Sequence, residues 1–86
     1  MTKVLLVTSE GCKPCSRVKR VLKELQGDMP DLMVEEVDFT SPDGSKLAID
    51  NGITYPPAVF LEGKLLGKGK INTDEMVASI RKLKGS

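Results

Sequence analysis

The chemistry of this chain is concentrated in Gly11-Cys12-Lys13-Pro14-Cys15, because its only two cysteines lie here. Two thiols separated by two residues suit redox catalysis, half of a metal site or a short structural disulfide. A disulfide across so short a loop removes little entropy from the unfolded chain, which argues against a purely structural bond. The sequence has no histidine, and a zinc site needs about four ligands. Redox chemistry is therefore the leading interpretation. The alternative is a non-catalytic module that shares a metal or cluster between two copies in a dimer.

A strand and a helix are predicted to position the two cysteines. Residues 3–7 (KVLLV) form an apolar run typical of a strand buried on both faces. After Cys12 the apolar residues recur with helical spacing and end near Gly27: Val18, Val21, Leu22 and Leu25. The first turn of a helix offers unpaired N–H groups and the positive end of the dipole, which lower a thiol pKa. Cys12 is thus the predicted nucleophile, and Cys15, one turn further, is the predicted resolving thiol.

The residues around the cysteines are predicted to tune them. Lys13 opposes the helix dipole but stabilises a neighbouring thiolate. The alternative interpretation is a solvated surface lysine. Pro14 is tolerated in the first helical turn and stiffens the loop between the sulfurs. Gly11 precedes the pair directly.

The rest of the chain predicts two more strand-and-helix segments. Residues 32–39 form a second strand, and Ser41-Pro42 starts a short helix that stops at Asn51-Gly52. Residues 58–61 and 64–66 flank Glu62-Gly63 as a hairpin. A final helix is predicted after Asn72, which forms a capping box with Glu75. Its inward residues are Met76, Val77, Ile80 and Leu83, and its C-terminal cations are Arg81, Lys82 and Lys84.

Together these elements predict an α/β fold in the order β-α-β-α-β-β-α, a four-stranded mixed sheet with helices on both faces. The 86 residues suffice for one domain, 1–86.

The net charge of +1 argues against a nucleic-acid binder, and no apolar run approaches the roughly 20 residues needed to span a membrane. The apolar stretch near the N-terminus is too short for a signal peptide. We therefore expect a cytoplasmic protein.

At this point the sequence resembles the thioredoxin/glutaredoxin superfamily over essentially its whole length. The resemblance is carried by the strand before GCKPC, the CxxC at a helix start and a proline just before a hairpin. The segment NGITYPPAVFLEGKLLGKG is similar to the corresponding thioredoxin region. The resemblance implies a cis peptide bond before Pro57, beside the sulfurs, and a glycine near the active site at Gly69. It implies the thioredoxin fold.

Several residues depart from the family pattern. Thioredoxins resemble WCGPC, whereas Gly11 replaces the Trp and Lys13 the central Gly. Leu6 stands where thioredoxins carry a buried Asp, so proton transfer at Cys15 must use water or another group, with Glu36 and Asp38 as candidates. In the family, the residue before the cis-proline pairs its backbone with the substrate. Pro56 at this position has no N–H to donate. Tyr55, the only tyrosine, is either a substrate platform or an aromatic residue at the core edge.

The resemblance implies a thiol–disulfide oxidoreductase of cell redox homeostasis and electron transport, acting as a monomer. Its partners are disulfide-containing proteins and a flavoprotein of the thioredoxin reductase type as electron donor. The alternative is a glutaredoxin recharged by glutathione. Neither interpretation requires a cofactor beyond the redox-active Cys12–Cys15 disulfide. The predicted substrate-binding residues are Tyr55, Pro56, Pro57 and Gly69.

Overall fold

Seven secondary-structure elements follow one another in the computed structural model, which describes residues 2–85 and side chains as far as Leu83. In chain order they are β1 Thr2–Thr8, α1 Lys13–Asp28, β2 Leu32–Asp38, α2 Pro42–Asn51, β3 Ala58–Leu61, β4 Lys64–Lys68 and α3 Thr73–Gly85. The predicted order is confirmed. The end residues of the predicted domain, Met1 and Ser86, and the side chain of Lys84 lie outside the described part.

The four strands form one mixed sheet in the order β2-β1-β3-β4. β1 pairs in parallel with β2, since α1 carries the chain back along the sheet before β2 begins. β3 is antiparallel to both β1 and β4, with an irregular register between Val59 and Phe60. The strand that leads into the cysteines is therefore an inner strand.

The core has two layers because the side chains of β1 alternate between the faces of the sheet. Val4 and Leu6 are fully buried in the layer that contains α1 and α3. Val7 is fully buried in the layer with Ala48 of α2. Helices thus cover both faces, as the sequence predicts. Each fully buried aliphatic side chain contributes about 1.5–3 kcal/mol of transfer free energy.

Polar groups define where the helices start. The Ser41 hydroxyl accepts a hydrogen bond from the Gly44 N–H at 3.0 Å, and Asn72 accepts one from the Glu75 N–H at 3.1 Å. Both predicted N-caps are confirmed. Gly52 ends α2 with a φ of 65°, and the Lys68 ammonium donates to its carbonyl at 3.1 Å.

Several sequence-based details differ from the structure. β1 spans Thr2–Thr8 rather than residues 3–7. Leu83 is 45% exposed, so its prediction as an inward residue is wrong. A helical stripe identifies the buried face but not where the opposing surface ends. β2 ends at Asp38 rather than residue 39, and β4 extends to Lys68.

Gly44 lies in the first turn of α2, directly against the end of β2. A Cβ atom at this position would collide with the backbone carbonyl of Asp38. That carbonyl also accepts hydrogen bonds from the N–H and hydroxyl of Ser41, at 3.0 and 2.6 Å. The absence of a side chain at Gly44 therefore allows the start of α2 to pack closely on the sheet.

Candidate active site

The two cysteines lie where the carboxyl end of β1 passes into α1. Cys12 is the N-cap of α1, with an extended backbone, and its sulfur accepts a hydrogen bond from the Cys15 N–H at 3.1 Å. The carbonyl of Cys12 accepts from both the N–H and the hydroxyl of Ser16, each at 3.3 Å. A sulfur atom therefore takes the capping role that a Ser or Asp oxygen commonly takes.

The cysteines form a disulfide, with 2.14 Å between the sulfurs and 5.3 Å between the Cα atoms. Cys15 is only 3% exposed, whereas Cys12 is partly exposed. Cys12 is thus the more accessible residue of the pair, and Cys15 is buried by the protein.

The residues beside the cysteines lie as the sequence predicts. Lys13 and Pro14 occupy the first turn of α1 and are exposed. Gly11 forms the turn before Cys12 with a φ of 77°, a conformation that glycine adopts without strain. The first turn of α1 contains no acidic residue, so Lys13 is the charged group adjacent to the Cys12 sulfur along the chain.

On one side of Cys12 runs an open cavity of about 580 Å³, here called the Pro57 groove. Its lining residues are Cys12, Lys13, Pro14, Arg17, Val18, Tyr55, Pro56, Pro57, Gly69, Lys70 and Ile71. The groove brings Cys12 together with all four predicted substrate-binding residues.

The wall of the Pro57 groove facing the cysteines is built by the segment before β3 and the turn after β4. The Pro56–Pro57 peptide bond is cis, as the resemblance implies. The Gly69 N–H donates to the Pro57 carbonyl at 2.7 Å. Tyr55 is 59% exposed, and its ring lies so close to Gly69 that an added Cβ would be 2.9 Å from the Tyr55 hydroxyl oxygen.

On the other side of the disulfide lies a second open cavity of about 410 Å³, here called the Cys15 hollow. Its lining residues are Thr8, Ser9, Gly11, Cys12, Lys13, Cys15, Ser16, Lys19 and Glu36. Lys19 and Glu36 form an ion pair of 3.1 Å in this hollow. All nine predicted site residues therefore line one of the two cavities.

Two lysines of these cavities were not identified from the sequence. Lys19 lies four residues after Cys15, one helical turn on and on the same face, so this spacing could have revealed it. Lys70 follows Gly69 directly but has no motif of its own. Among the residues that the structure describes, no cluster of three or more His, Cys, Asp or Glu side chains could hold a metal ion. No helix within residues 2–85 has the length and apolar character to cross a membrane.

Solved structures with the same fold include thioredoxins. Thioredoxin O2 from Arabidopsis thaliana in its oxidised state superposes with a TM-score of 0.75 at 19% identity, over 96% of this chain and 75% of that one. Mitochondrial thioredoxin 3 from Saccharomyces cerevisiae gives a TM-score of 0.71 at 24% identity, over 94% and 77%. The protein therefore has the thioredoxin fold, with a CxxC disulfide at the start of α1.

The sequence itself is 30% identical to the thioredoxin of Methanocaldococcus jannaschii over 81 residues, which cover 93% of each chain. No model of a protein family matches the sequence. The match with this relative covers nearly the whole chain. The chain belongs to the thioredoxin family and is a protein-disulfide oxidoreductase.

Proposed function

We propose that this chain is a single domain, 1–86, that reduces protein disulfides with Cys12 as nucleophile and Cys15 as resolving thiol. One observation carries the direction of the reaction. Cys12 is partly exposed and its sulfur accepts an N–H at the positive end of α1, whereas Cys15 is buried. The exposed sulfur is the one that an external disulfide can reach, and the helix terminus favours its thiolate. Lys13 adds a positive charge beside that thiolate.

In the first step the Cys12 thiolate attacks one sulfur of the substrate disulfide. A new S–S bond joins Cys12 to the substrate, and the second substrate sulfur leaves as a thiolate. Cys15 then loses its proton and attacks the Cys12 sulfur. The Cys12–Cys15 disulfide forms, and the remaining substrate sulfur leaves. The substrate gains two electrons and the protein dithiol loses them, so no further cofactor is needed.

We further propose that the protein works as a monomer in the cytoplasm and that a flavoprotein of the thioredoxin reductase type restores its dithiol. Membership of the thioredoxin family supports this electron donor over glutathione. The test is insulin reduction with NADPH and a thioredoxin reductase, compared with glutathione, NADPH and glutathione reductase. Turnover only in the first system is expected. Turnover only with glutathione would make the protein a glutaredoxin in function, and turnover with neither would contradict the proposed reduction.

We also propose that Glu36, reached through water in the Cys15 hollow, accepts the proton that Cys15 loses. Glu36 is the single carboxylate among the described residues that line the hollow, whose volume leaves room for several water molecules.

The other candidate for this role, Asp38, does not line the hollow. Its carboxylate accepts hydrogen bonds from the hydroxyl of Thr40 at 2.6 Å and from the Thr40 N–H at 2.7 Å. The hydroxyl bond is the larger cause and the N–H bond the smaller cause of a lowered Asp38 pKa. A carboxylate stabilised in its charged form is a weaker base. Glu36 is the candidate that lines the hollow, so the geometry favours Glu36.

Glu36→Gln is expected to slow the second step by about tenfold or more near neutral pH. The first step should be nearly unchanged, because it does not require Cys15 to lose its proton. The measurement is a single-turnover reaction with a disulfide peptide whose two halves carry different fluorophores, so that each release is seen separately. The slow release should also change its pH dependence in this variant.

Glu35→Gln is the matched control for this prediction. Glu35 is the adjacent residue of β2, pairs with Lys3 at 3.1 Å, and loses the same charge in the variant. Equal release rates in Glu36→Gln and Glu35→Gln would exclude Glu36 as the proton acceptor.

A further inference from the structure

The Pro57 groove has an uncompensated positive charge. Lys13 and Arg17 of α1 line one side and Lys70 lines the other. No Asp or Glu lies among the described residues that line this groove. The chain as a whole has a net charge of only +1, so the charge of the groove is a local asymmetry rather than a general excess of cations.

These three cations are exposed and have no ion-pair partner within the described part of the chain. The ion pairs there involve other cations: Lys3, Lys19 and Arg81. The positive surface continues along α1, where Arg20 joins Lys13 and Arg17 around an adjoining depression. A carboxylate that binds in the groove would therefore pair with these cations without first breaking an existing ion pair.

The segments around Pro57 and Gly69 offer few free backbone N–H donors to the carbonyl groups of a bound peptide. Pro56 and Pro57 have no N–H, and the N–H of Gly69 is already donated to the Pro57 carbonyl at 2.7 Å. The charged donors of the groove are the ammonium groups of Lys13 and Lys70 and the guanidinium group of Arg17. Carboxylates are the acceptors that match such donors best, and they match the planar Arg guanidinium in particular.

We propose that the groove selects protein disulfides flanked by acidic residues, with Glu or Asp side chains close in sequence to the cysteine that Cys12 attacks. This substrate class rests on the proposed function, since it concerns the same Cys12 and the same groove. Lys13, Arg17 and Lys70 would hold the substrate carboxylates, while Tyr55 and Ile71 contact apolar parts of the peptide. The contribution is electrostatic, so it speeds association and weakens as salt screens it.

The test uses three disulfide peptides that differ only in the residues flanking one cysteine, which are Glu, Gln or Lys. The kcat/KM of the protein with its reductant is measured for each peptide. It is divided by the rate at which dithiothreitol reduces the same peptide, because flanking charges alter thiol chemistry on their own. At about 0.01 M ionic strength the Glu peptide should exceed the Lys peptide by about tenfold or more, and this ratio should fall at about 0.15 M.

Two charge-reversal variants separate the groove from the net charge of the protein. Arg17→Glu should remove or invert the preference for the Glu peptide. Lys23→Glu makes the same charge change on an exposed residue of α1 outside the groove and should preserve the preference. Lys13 is not varied here, because it adjoins Cys12 and would change thiol reactivity.

The outcomes distinguish this proposal from the proposed function. Equal corrected rates for the Glu and Lys peptides, or equal loss of preference in both variants, would overturn the acidic-substrate class while leaving disulfide reduction intact. Failure to reduce any of the three peptides would instead overturn the proposed function itself.

Discussion

Cys12→Ser is expected to lower disulfide reduction by about a thousandfold or more, whereas Cys15→Ser is expected to stop after the first step with the substrate bound. The reason is the asymmetry of the pair. Cys12 is partly exposed and caps α1 with its sulfur, and Cys15 is 3% exposed behind it. Loss of the nucleophile removes the covalent route. Loss of the resolving thiol leaves a mixed disulfide that no neighbouring group can break.

Intact mass spectrometry under non-reducing conditions measures this difference directly. Cys15→Ser mixed with a disulfide peptide should gain the mass of one peptide half, and Cys12→Ser should gain none. Reduced wild-type protein is the matched control for stability, since all three forms lack the crosslink. A stable adduct on Cys15 in the Cys12→Ser variant would reverse the proposed roles. Continued turnover of Cys15→Ser with glutathione would favour the glutaredoxin alternative.

The second large effect is on stability. Gly44→Ala is expected to lower the free energy of unfolding by about 3 kcal/mol, although Ala is the better helix former by about 1 kcal/mol. The added methyl group would collide with the Asp38 carbonyl, so α2 must shift from the end of β2. For a domain of this size, that loss lowers the melting temperature by about 12–24 °C.

Gly27→Ala is the matched control, because Gly27 is also helical and nothing lies within 4 Å of an added Cβ. There the same substitution should be neutral or stabilise by up to about 1 kcal/mol. Urea unfolding of both variants, followed by circular dichroism, measures the difference. A Gly44→Ala variant as stable as Gly27→Ala would mean that α2 begins farther from β2 than described.

The sequence predicts the order of elements well because each signal is local. The apolar run of β1, the helical stripe of α1 and the Ser41 cap each depend on residues close together in the chain, and each is confirmed. The prediction that Leu83 is buried is wrong, because its burial depends on how far the opposing surface extends. Gly44 carries no recognisable motif, since its role arises only when the turn after β2 brings the Asp38 carbonyl against α2.

Some residues of the site could likewise be predicted from the sequence, whereas others could not. Cys12, Cys15 and Pro57 could be identified because spacing and family resemblance point to them. The sequence places Lys13, Arg17 and Arg20 on one stripe of α1, a pattern that favours acidic partners. The position of Lys70 on the same groove depends on two distant segments meeting, and no residue pattern encodes that meeting. The choice of Glu36 over Asp38 likewise needed the Thr40 contacts and the lining of the hollow.

The strand order also predicts which strands can lose their hydrogen bonds locally without disturbing the site. β2 and β4 are the edges of the sheet, and their side chains are mostly exposed or half-buried, whereas β3 is buried throughout. Local fraying starts where burial is least, so the backbone amides of the edges should exchange with solvent sooner than those of β1 and β3. Cys12 follows β1, and Pro57 directly precedes β3. Both halves of the site therefore extend from the inner strands, which open last. The edge strands β2 and β4 can open locally while the sulfurs and Pro57 keep their relative positions.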